Sequence, residues 1–164
     1  MDVIDCFKGE YAFLSNFYPD NIVYDGYIWP SVEHFYQGYK TENLDLRERI
    51  LRAPTPAEAK RLGSYTTYQG EPVIRENWHM LKQRYMKIGI DLKFDWNHQQ
   101  PLVKKLIATY NKDIREGNTW HDNFWGSCIC EKCTSARKVV GQNWLGYLLK
   151  ERRKQLMEMS EKYA

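Results

Sequence analysis

The sequence predicts a helix-rich α+β fold with a small antiparallel sheet near the N-terminus. Three observations lead there. Ile22-Val23-Tyr24, Asp25-Gly26 and Tyr27-Ile28-Trp29 read as a β-hairpin, because Asp-Gly supplies the positive φ angles of a type I′ turn. Apolar residues then recur at helical spacing through most of the remaining chain. Strands and helices do not alternate, which argues against a doubly wound parallel sheet. The 164 residues suit one compact domain, 1–164, with no repeat or long linker.

The elements follow in order. Pro30 ends the second strand, and Ser31 can cap a helix by accepting a bond from a free N–H. Val32, Phe35, Tyr36 and Tyr39 form one apolar stripe of that helix, with Glu33, Gln37 and Lys40 beside it, at an expected border between core and solvent. A short helix is expected over residues 45–52. Thr55-Pro56-Ala57-Glu58 reads as a capping box with Pro at the first helical position, and Gly63 as the stop. Ile74, Trp78, Leu81, Tyr85, Ile88 and Leu92 alternate spacings of four and three, the clearest amphipathic helix in the chain. Pro101 opens another, carrying Leu102, Val103, Leu106 and Ile107. Residues 109–126 are polar and turn-rich. Asn143 can cap a last helix through Trp144, Leu145, Leu148, Leu149 and Leu156. The run Lys150-Glu151-Arg152-Arg153-Lys154 on that helix reads as a solvated face.

Composition narrows the function. Net charge is +3, from 24 basic and 21 acidic residues, so the chain is not marked as a dedicated nucleic-acid binder. Aromatics reach 15%, with 6 Trp and 12 Tyr, enough to fill a core and also to line a pocket for a flat ligand. No signal peptide or membrane-length apolar run is evident, and an intracellular, cytoplasmic protein is expected. No glycine-rich phosphate loop, Gly-x-Ser-x-Gly elbow or zinc-protease histidine spacing occurs.

Three groups can carry chemistry. Glu33 stands in the first turn of its helix, where a carboxylate favours the helix dipole and can also act as a catalyst. His121-Asp122-Asn123-Phe124-Trp125-Gly126 is a polar cluster in a loop-like region, where Asp122 is either a turn former or a functional acid. Cys128-x-Cys130-x-x-Cys133 reads as reduced thiols packing a tight loop. The alternative is a zinc held by Cys128, Cys130 and Cys133 with Cys6 or His121 as fourth ligand.

These stretches coincide with a known family. Phe13-Leu14-Ser15-Asn16-Phe17-Tyr18-Pro19, Trp29-Pro30-Ser31-Val32-Glu33-His34-Phe35-Tyr36-Gln37 and Pro56-Ala57-Glu58-Ala59-Lys60-Arg61-Leu62-Gly63 resemble three motifs of the NADAR, or YbiA-like, family. Asp122-Asn123-Phe124-Trp125-Gly126 and Gly141-Gln142-Asn143-Trp144-Leu145-Gly146-Tyr147-Leu148-Leu149 resemble two more, in family order. The chain departs from the family at Tyr147, where Lys is common, and at Thr109-Tyr110-Asn111, which replaces a Thr-Gly-Asp turn.

The resemblance implies an N-glycosidase, hydrolysing a ribose C1′–N bond. It implies either removal of ADP-ribose from guanine, in nucleic acid or nucleoside, or cleavage of phosphoribosylamino-pyrimidine intermediates of riboflavin synthesis. A non-catalytic ADP-ribose-binding module is the reading from another class. Glu33 matches the motif glutamate, and with Asp122 is the expected catalytic pair. Asn16, Phe17, Lys40, Trp78, Trp125 and Gly126 are the expected substrate-binding residues. Trp78 either stacks a base or is a core residue at helical spacing, and Lys40 either pairs with Glu33 or meets phosphate. The scheme requires no cofactor and no metal. The expected partners are a substrate containing ADP-ribose or phosphoribose and ADP-ribosylated nucleic acid, with no membrane.

Overall fold

The computed structural model describes residues 2–135 and 141–164. They divide into two compact units. The central unit runs from Asn16 to Lys93, and the terminal unit joins the chain up to Ser15 with the chain from Phe94 onward.

The central unit begins with the expected hairpin. Strand β2 (Ile22–Tyr24) pairs antiparallel with β3 (Tyr27–Trp29) in the register Ile22 to Trp29. Asp25 and Gly26 take φ values of 50° and 79°, as a type I′ turn demands. Ile22 and Trp29 point into the core while Val23 and Ile28 face out. Helix α1 (Val32–Tyr39) follows, with Ser31 Oγ accepting from the His34 N–H at 3.1 Å. Helices α2 (Leu44–Leu51), α3 (Pro56–Gly63) and α4 (Trp78–Lys93) all pack on α1. All of α1 is therefore buried, and the expected border between core and solvent moves outward. Glu33 and Gln37 lie inside, and only Lys40, past the helix end, is half-exposed.

Each neighbour of α1 has its own start signal. Asn43 Oδ1 caps α2 by accepting from Leu46 N, and Thr55 Oγ1 caps α3 by accepting from Glu58 N. The Glu58 carboxylate binds Arg61 at 2.6 and 2.8 Å. A short hairpin, β4 (Thr67–Tyr68) with β5 (Glu71–Pro72), precedes α4. The expected stripe on α4 is displaced. Ile74 lies outside the helix, bridging Thr41, and the buried line is Trp78, Met86, Gly89, Ile90 and Lys93. The reason is close approach: a Cβ on Gly89 would stand 3.1 Å from both Val32 and Phe35. The axis of contact thus runs along a glycine and a lysine, which an apolar pattern does not count.

In the terminal unit β1 (Val3–Ile4) pairs in parallel with β6 (Asp113–Ile114). Helix α5 (Gln100–Ala108) matches the segment opened by Pro101. The stretch expected to be turn-rich also carries β7 (Gly117–Asn118), parallel to β8 (Ser127–Cys128), before α6 (Glu131–Thr134) and α7 (Trp144–Lys162).

Two expectations on α7 are corrected. Its basic run is only partly a solvated face: Glu151 and Lys154 are exposed, but the other three residues are engaged. Arg153 is buried and donates to Thr109 Oγ1 and the Lys112 carbonyl, Arg152 grips the Phe94 carbonyl, and Lys150 pairs with Asp113 at 2.7 Å. Asn143 precedes the helix, but its side chain makes no cap bond. It accepts from Glu116 N and donates to the Ile114 carbonyl instead. No helix among the described residues is long and apolar enough to cross a membrane.

Candidate active site

Glu33 is placed by the first turn of α1 and is 7% exposed. Its backbone N–H donates to the Asn16 carbonyl at 3.1 Å, which ties the first and second sequence motifs together. Its carboxylate accepts from Gln37 Nε2 at 2.9 Å, one turn on. Gln37 in turn fills the space above Gly63, where a Cβ would collide with the Gln37 amide. The absence of a side chain at Gly63 is thus what lets Gln37 reach back to Glu33.

The two residues bonded to Glu33 each carry an unusual acceptor. Asn16 Oδ1 and Gln37 Oε1 are buried with no hydrogen-bond partner among the described residues. Such an atom costs about 1–3 kcal/mol unless something donates to it. Hydroxyl groups of a sugar are donors of the right kind. Asn16 Nδ2 is directed at Met86 Sδ at 3.4 Å.

Lys40, just past the end of α1, has charged neighbours. Burial pushes the Lys40 ammonium below the usual lysine range, the Glu33 carboxylate works against that shift, and Lys82 and Lys60 add to it. Lys40 is thus the common neighbour of one carboxylate and two further ammonium groups. That is suited to an anionic group held beside a centre that becomes positive.

The C-terminal end of α1 is closed by other cations. Arg47 donates to the Gly38 and Thr41 carbonyls and Arg75 to the Tyr39 carbonyl, which complements the helix dipole.

The aromatic residues divide between core and surface. Trp78 is 7% exposed, its ring flanked by Tyr36 at 5.2 Å and Tyr85 at 5.8 Å. It belongs to a cluster continued by Tyr39, Phe35, Trp29 and Tyr24. Phe17, beside Asn16, is 41% exposed and presents the more accessible ring. His34, next to Glu33, is structural. The Ala53 carbonyl can only accept, so Nε2 carries the proton at 3.0 Å. Nδ1 then accepts from the Ser31 hydroxyl at 2.7 Å. Burial lowers the His34 pKa, opposed by the bond to Ala53.

The remaining expected site residues, Asp122, Trp125 and Gly126, lie in the terminal unit. Asp122 Oδ1 accepts from Phe124 N at 3.1 Å and Trp125 N at 2.9 Å, so this oxygen forms a turn. Asn118 closes the preceding loop, bonding both the N–H and the carbonyl of Asp122. The carbonyls of Asn123, Phe124, Trp125 and Gly126 accept from the N–H groups of Gln142, Trp144, Leu145 and Asn143. The fourth and fifth motifs thus interlock, and the free donors at the start of α7 are used there.

The sequence reading missed Gln37, Lys60 and Lys82 as site residues. Gln37 had a signal, one turn from Glu33 on the same face. The two lysines had none, since the face of α3 or α4 that meets α1 is decided by packing.

Comparison with known proteins agrees with the motif reading. Residues 6–157 match the NADAR domain family. The chain is 34% identical over 147 residues to the Escherichia coli N-glycosidase YbiA, covering 90% of this chain and 82% of that protein. It is 34% identical over 150 residues to a Vibrio vulnificus riboflavin biosynthesis protein, covering 91% of this chain but only 36% of that longer protein. The NMR structure of the E. coli protein superposes with a TM-score of 0.77 at 30% identity, covering 97% of this chain and 87% of that one.

Proposed function

The chain belongs to the NADAR domain family, and we propose that it is an N-glycosidase hydrolysing the ribose C1′–N bond of an ADP-ribosylated base, with ADP-ribosyl-guanine in nucleic acid or nucleoside as substrate. The class of reaction, hydrolysis of an N-glycosyl bond, rests on its N-glycosidase relatives. The observation that carries the reading is the buried Glu33 carboxylate, held by Gln37 and felt by the half-buried Lys40 ammonium.

Cleavage of a ribosyl C–N bond builds positive charge at C1′ and O4′, as in other glycosyl transfers through oxocarbenium-like states. A fixed carboxylate in a site of low dielectric stabilises that charge, and can also orient the attacking water. Gln37 holds one Glu33 oxygen in place before the reaction, so little reorganisation is needed as charge develops. The lysines hold the phosphate groups on C5′. Asn16 Oδ1 and Gln37 Oε1 accept from ribose hydroxyls, and Phe17 offers a face to the base. Trp78 backs the site through Tyr36.

A second reading keeps the chemistry and changes the base. The Vibrio relative is named for riboflavin biosynthesis, which favours a phosphoribosylamino-pyrimidine. A phosphate monoester and a pyrophosphate carry similar charge, so the lysines serve either.

The experiment presents both substrates to the purified protein and follows released base and sugar by mass spectrometry. Base release from ADP-ribosyl-guanosine supports the first reading, and release from the pyrimidine alone supports the second. Folded protein that binds ADP-ribose and releases no base from either would make it a binding module. Glu33→Gln keeps size and reach but removes the charge. Its turnover should fall roughly a hundredfold or more, the scale for loss of one electrostatic catalytic group. Affinity should change less, because the cation exists mainly in the transition state. Near-normal turnover by folded Glu33→Gln would reduce Glu33 to a helix starter.

A further inference from the structure

The loop formed by β7, β8 and α6 contains a cluster that hydrolysis at C1′ does not use. His121 Nδ1 lies 3.3 Å from Cys133 Sγ, 3.4 Å from Cys130 Sγ and 3.8 Å from Cys128 Sγ. The four atoms all fall within 4.8 Å of one another. A tetrahedral zinc with Zn–S near 2.3 Å and Zn–N near 2.0–2.1 Å sets N···S separations at about 3.5 Å and S···S separations at about 3.8 Å. The three N···S distances bracket the first value.

Other uses of these side chains fit less well. Thiols that only packed the loop would turn toward apolar neighbours, as buried cysteines do. Here three sulfurs converge on one imidazole nitrogen. A disulfide would leave one of the three cysteines over and the histidine unexplained. All three are free thiols. His121 also holds φ at 67°, a left-handed conformation uncommon outside glycine.

We propose that His121, Cys128, Cys130 and Cys133 form a closed zinc site whose role is to pin the turn that carries Asp122 to Gly126. Four protein ligands leave no open position for water or substrate, so the ion is structural. Binding converts three thiols to thiolates and releases three protons to solvent. His121, rather than Cys6, is the fourth ligand, since Cys6 is exposed and outside the group. Asn123 supplies the outer contacts. Its Nδ2 donates to Cys133 Sγ at 3.5 Å, and its Oδ1 accepts from Cys128 N at 2.9 Å. Its carbonyl accepts from Gln142 N. The site is thereby connected through one residue, by its side chain on one side and its backbone carbonyl on the other, to the interlocked fourth and fifth motifs.

The test uses untagged full-length protein purified in reductant, with metal content read by mass spectrometry. One zinc per chain is expected, and it should persist in Cys6→Ser. Apo protein given Co(II) should show thiolate-to-cobalt charge transfer and the visible bands of tetrahedral cobalt. Asn123→Ala, which leaves all four ligands, should weaken metal binding about ten- to a hundredfold, the usual effect of losing an outer contact. His121→Asn and Cys130→Ser should weaken it further. Should a ligand variant fail to fold, the wild-type zinc content and cobalt spectrum decide alone. Folded, reduced wild-type protein that holds far less than one zinc and gives no tetrahedral thiolate spectrum with Co(II) would overturn the site. So would a disulfide among the three cysteines, or loss of the metal in Cys6→Ser. None of these readouts depends on turnover, so the site stands or falls apart from the proposed activity.

Discussion

Lys93 ends α4 with no exposed surface, its ammonium 5.5 Å from the centre of the Tyr18 ring. Burial pulls its pKa from the usual lysine value down to about 7, opposed by the negative charge of Asp20. The sign of the pH effect follows. Between about pH 7 and the ordinary lysine pKa of about 10.4, the unfolded chain keeps a proton that the folded chain has lost. Raising pH through that window therefore favours folding, by up to about 1.4 kcal/mol per pH unit. Below it both states are protonated and the contribution is flat. Lys93→Met should remove this rise. Denaturant midpoints of wild type and variant, compared at pH 6 and pH 9, should show the wild type gaining on the variant as pH increases. A gap independent of pH would mean that Lys93 stays charged in the folded state. Nothing in the sequence marked this residue, since a lysine at a helix end is usually read as a dipole partner. Glu33 was legible because its motif and its first-turn position are local. Gln37 carried a local signal too, one turn from Glu33 on the same helix, whereas Lys60 and Lys82 did not, because the faces that α3 and α4 turn toward α1 depend on packing.

At the scale of elements, α1 shows where pattern reading works and where it stops. The cap at Ser31, the stripe of Val32, Phe35, Tyr36 and Tyr39 and the hairpin before it all appear as expected. Complete burial of the helix does not follow from its sequence, because it depends on three other helices closing around it. Glycine positions record that closure. A Cβ on Gly38 would enter the Trp29 ring, whereas a Cβ on Gly89 would meet Val32 and Phe35 at 3.1 Å. Alanine gains about 0.8–1.0 kcal/mol of helix propensity over glycine at either site. Overpacking costs about 1–3 kcal/mol. At Gly38 the obstacle is a rigid indole with 0% exposure, so the steric cost wins and Gly38→Ala should lose about 1–2 kcal/mol. At Gly89 the overlap is slight, and Gly89→Ala should be near neutral, within about 0.5 kcal/mol. Equilibrium denaturation of the two variants checks the contrast. Equal losses at both positions would show that the approach of α4 is as tight as the contact with Trp29. The basic run of α7 makes the same point from outside the core. Its residues looked solvated because the carbonyls of Phe94 and Lys112 across from them are invisible in a local pattern.

At the scale of the whole molecule, the composition is used mainly for folding. Seven aromatic rings of the central unit, those of Tyr24, Trp29, Phe35, Tyr36, Tyr39, Trp78 and Tyr85, form one contiguous cluster. The aromatic excess thus reports a core first and a ligand wall second. The terminal unit is built from both ends of the chain, which no local signal announces. Val3 and Ile4 pair with Asp113 and Ile114, Phe13 packs edge-on against Phe94, and Lys112 reaches the Tyr11 hydroxyl at 3.0 Å. A leading segment of this length often tolerates change, because terminal residues are poorly ordered unless tied down. Here Ile4, Phe13 and Leu14 are all buried, so the segment is part of the core of its unit. Phe13→Ala should then cost about 3–5 kcal/mol, the range for removing a buried Phe side chain, rather than the few tenths expected of a loose end. Urea denaturation of wild type and variant, with the same metal content in both, makes the comparison fair, because any ion bound only by the folded chain adds to its stability. A loss below about 1 kcal/mol would show that the first residues are an appendage. A loss in the full range would show that α5, β6 and α7 need the start of the chain to complete their core.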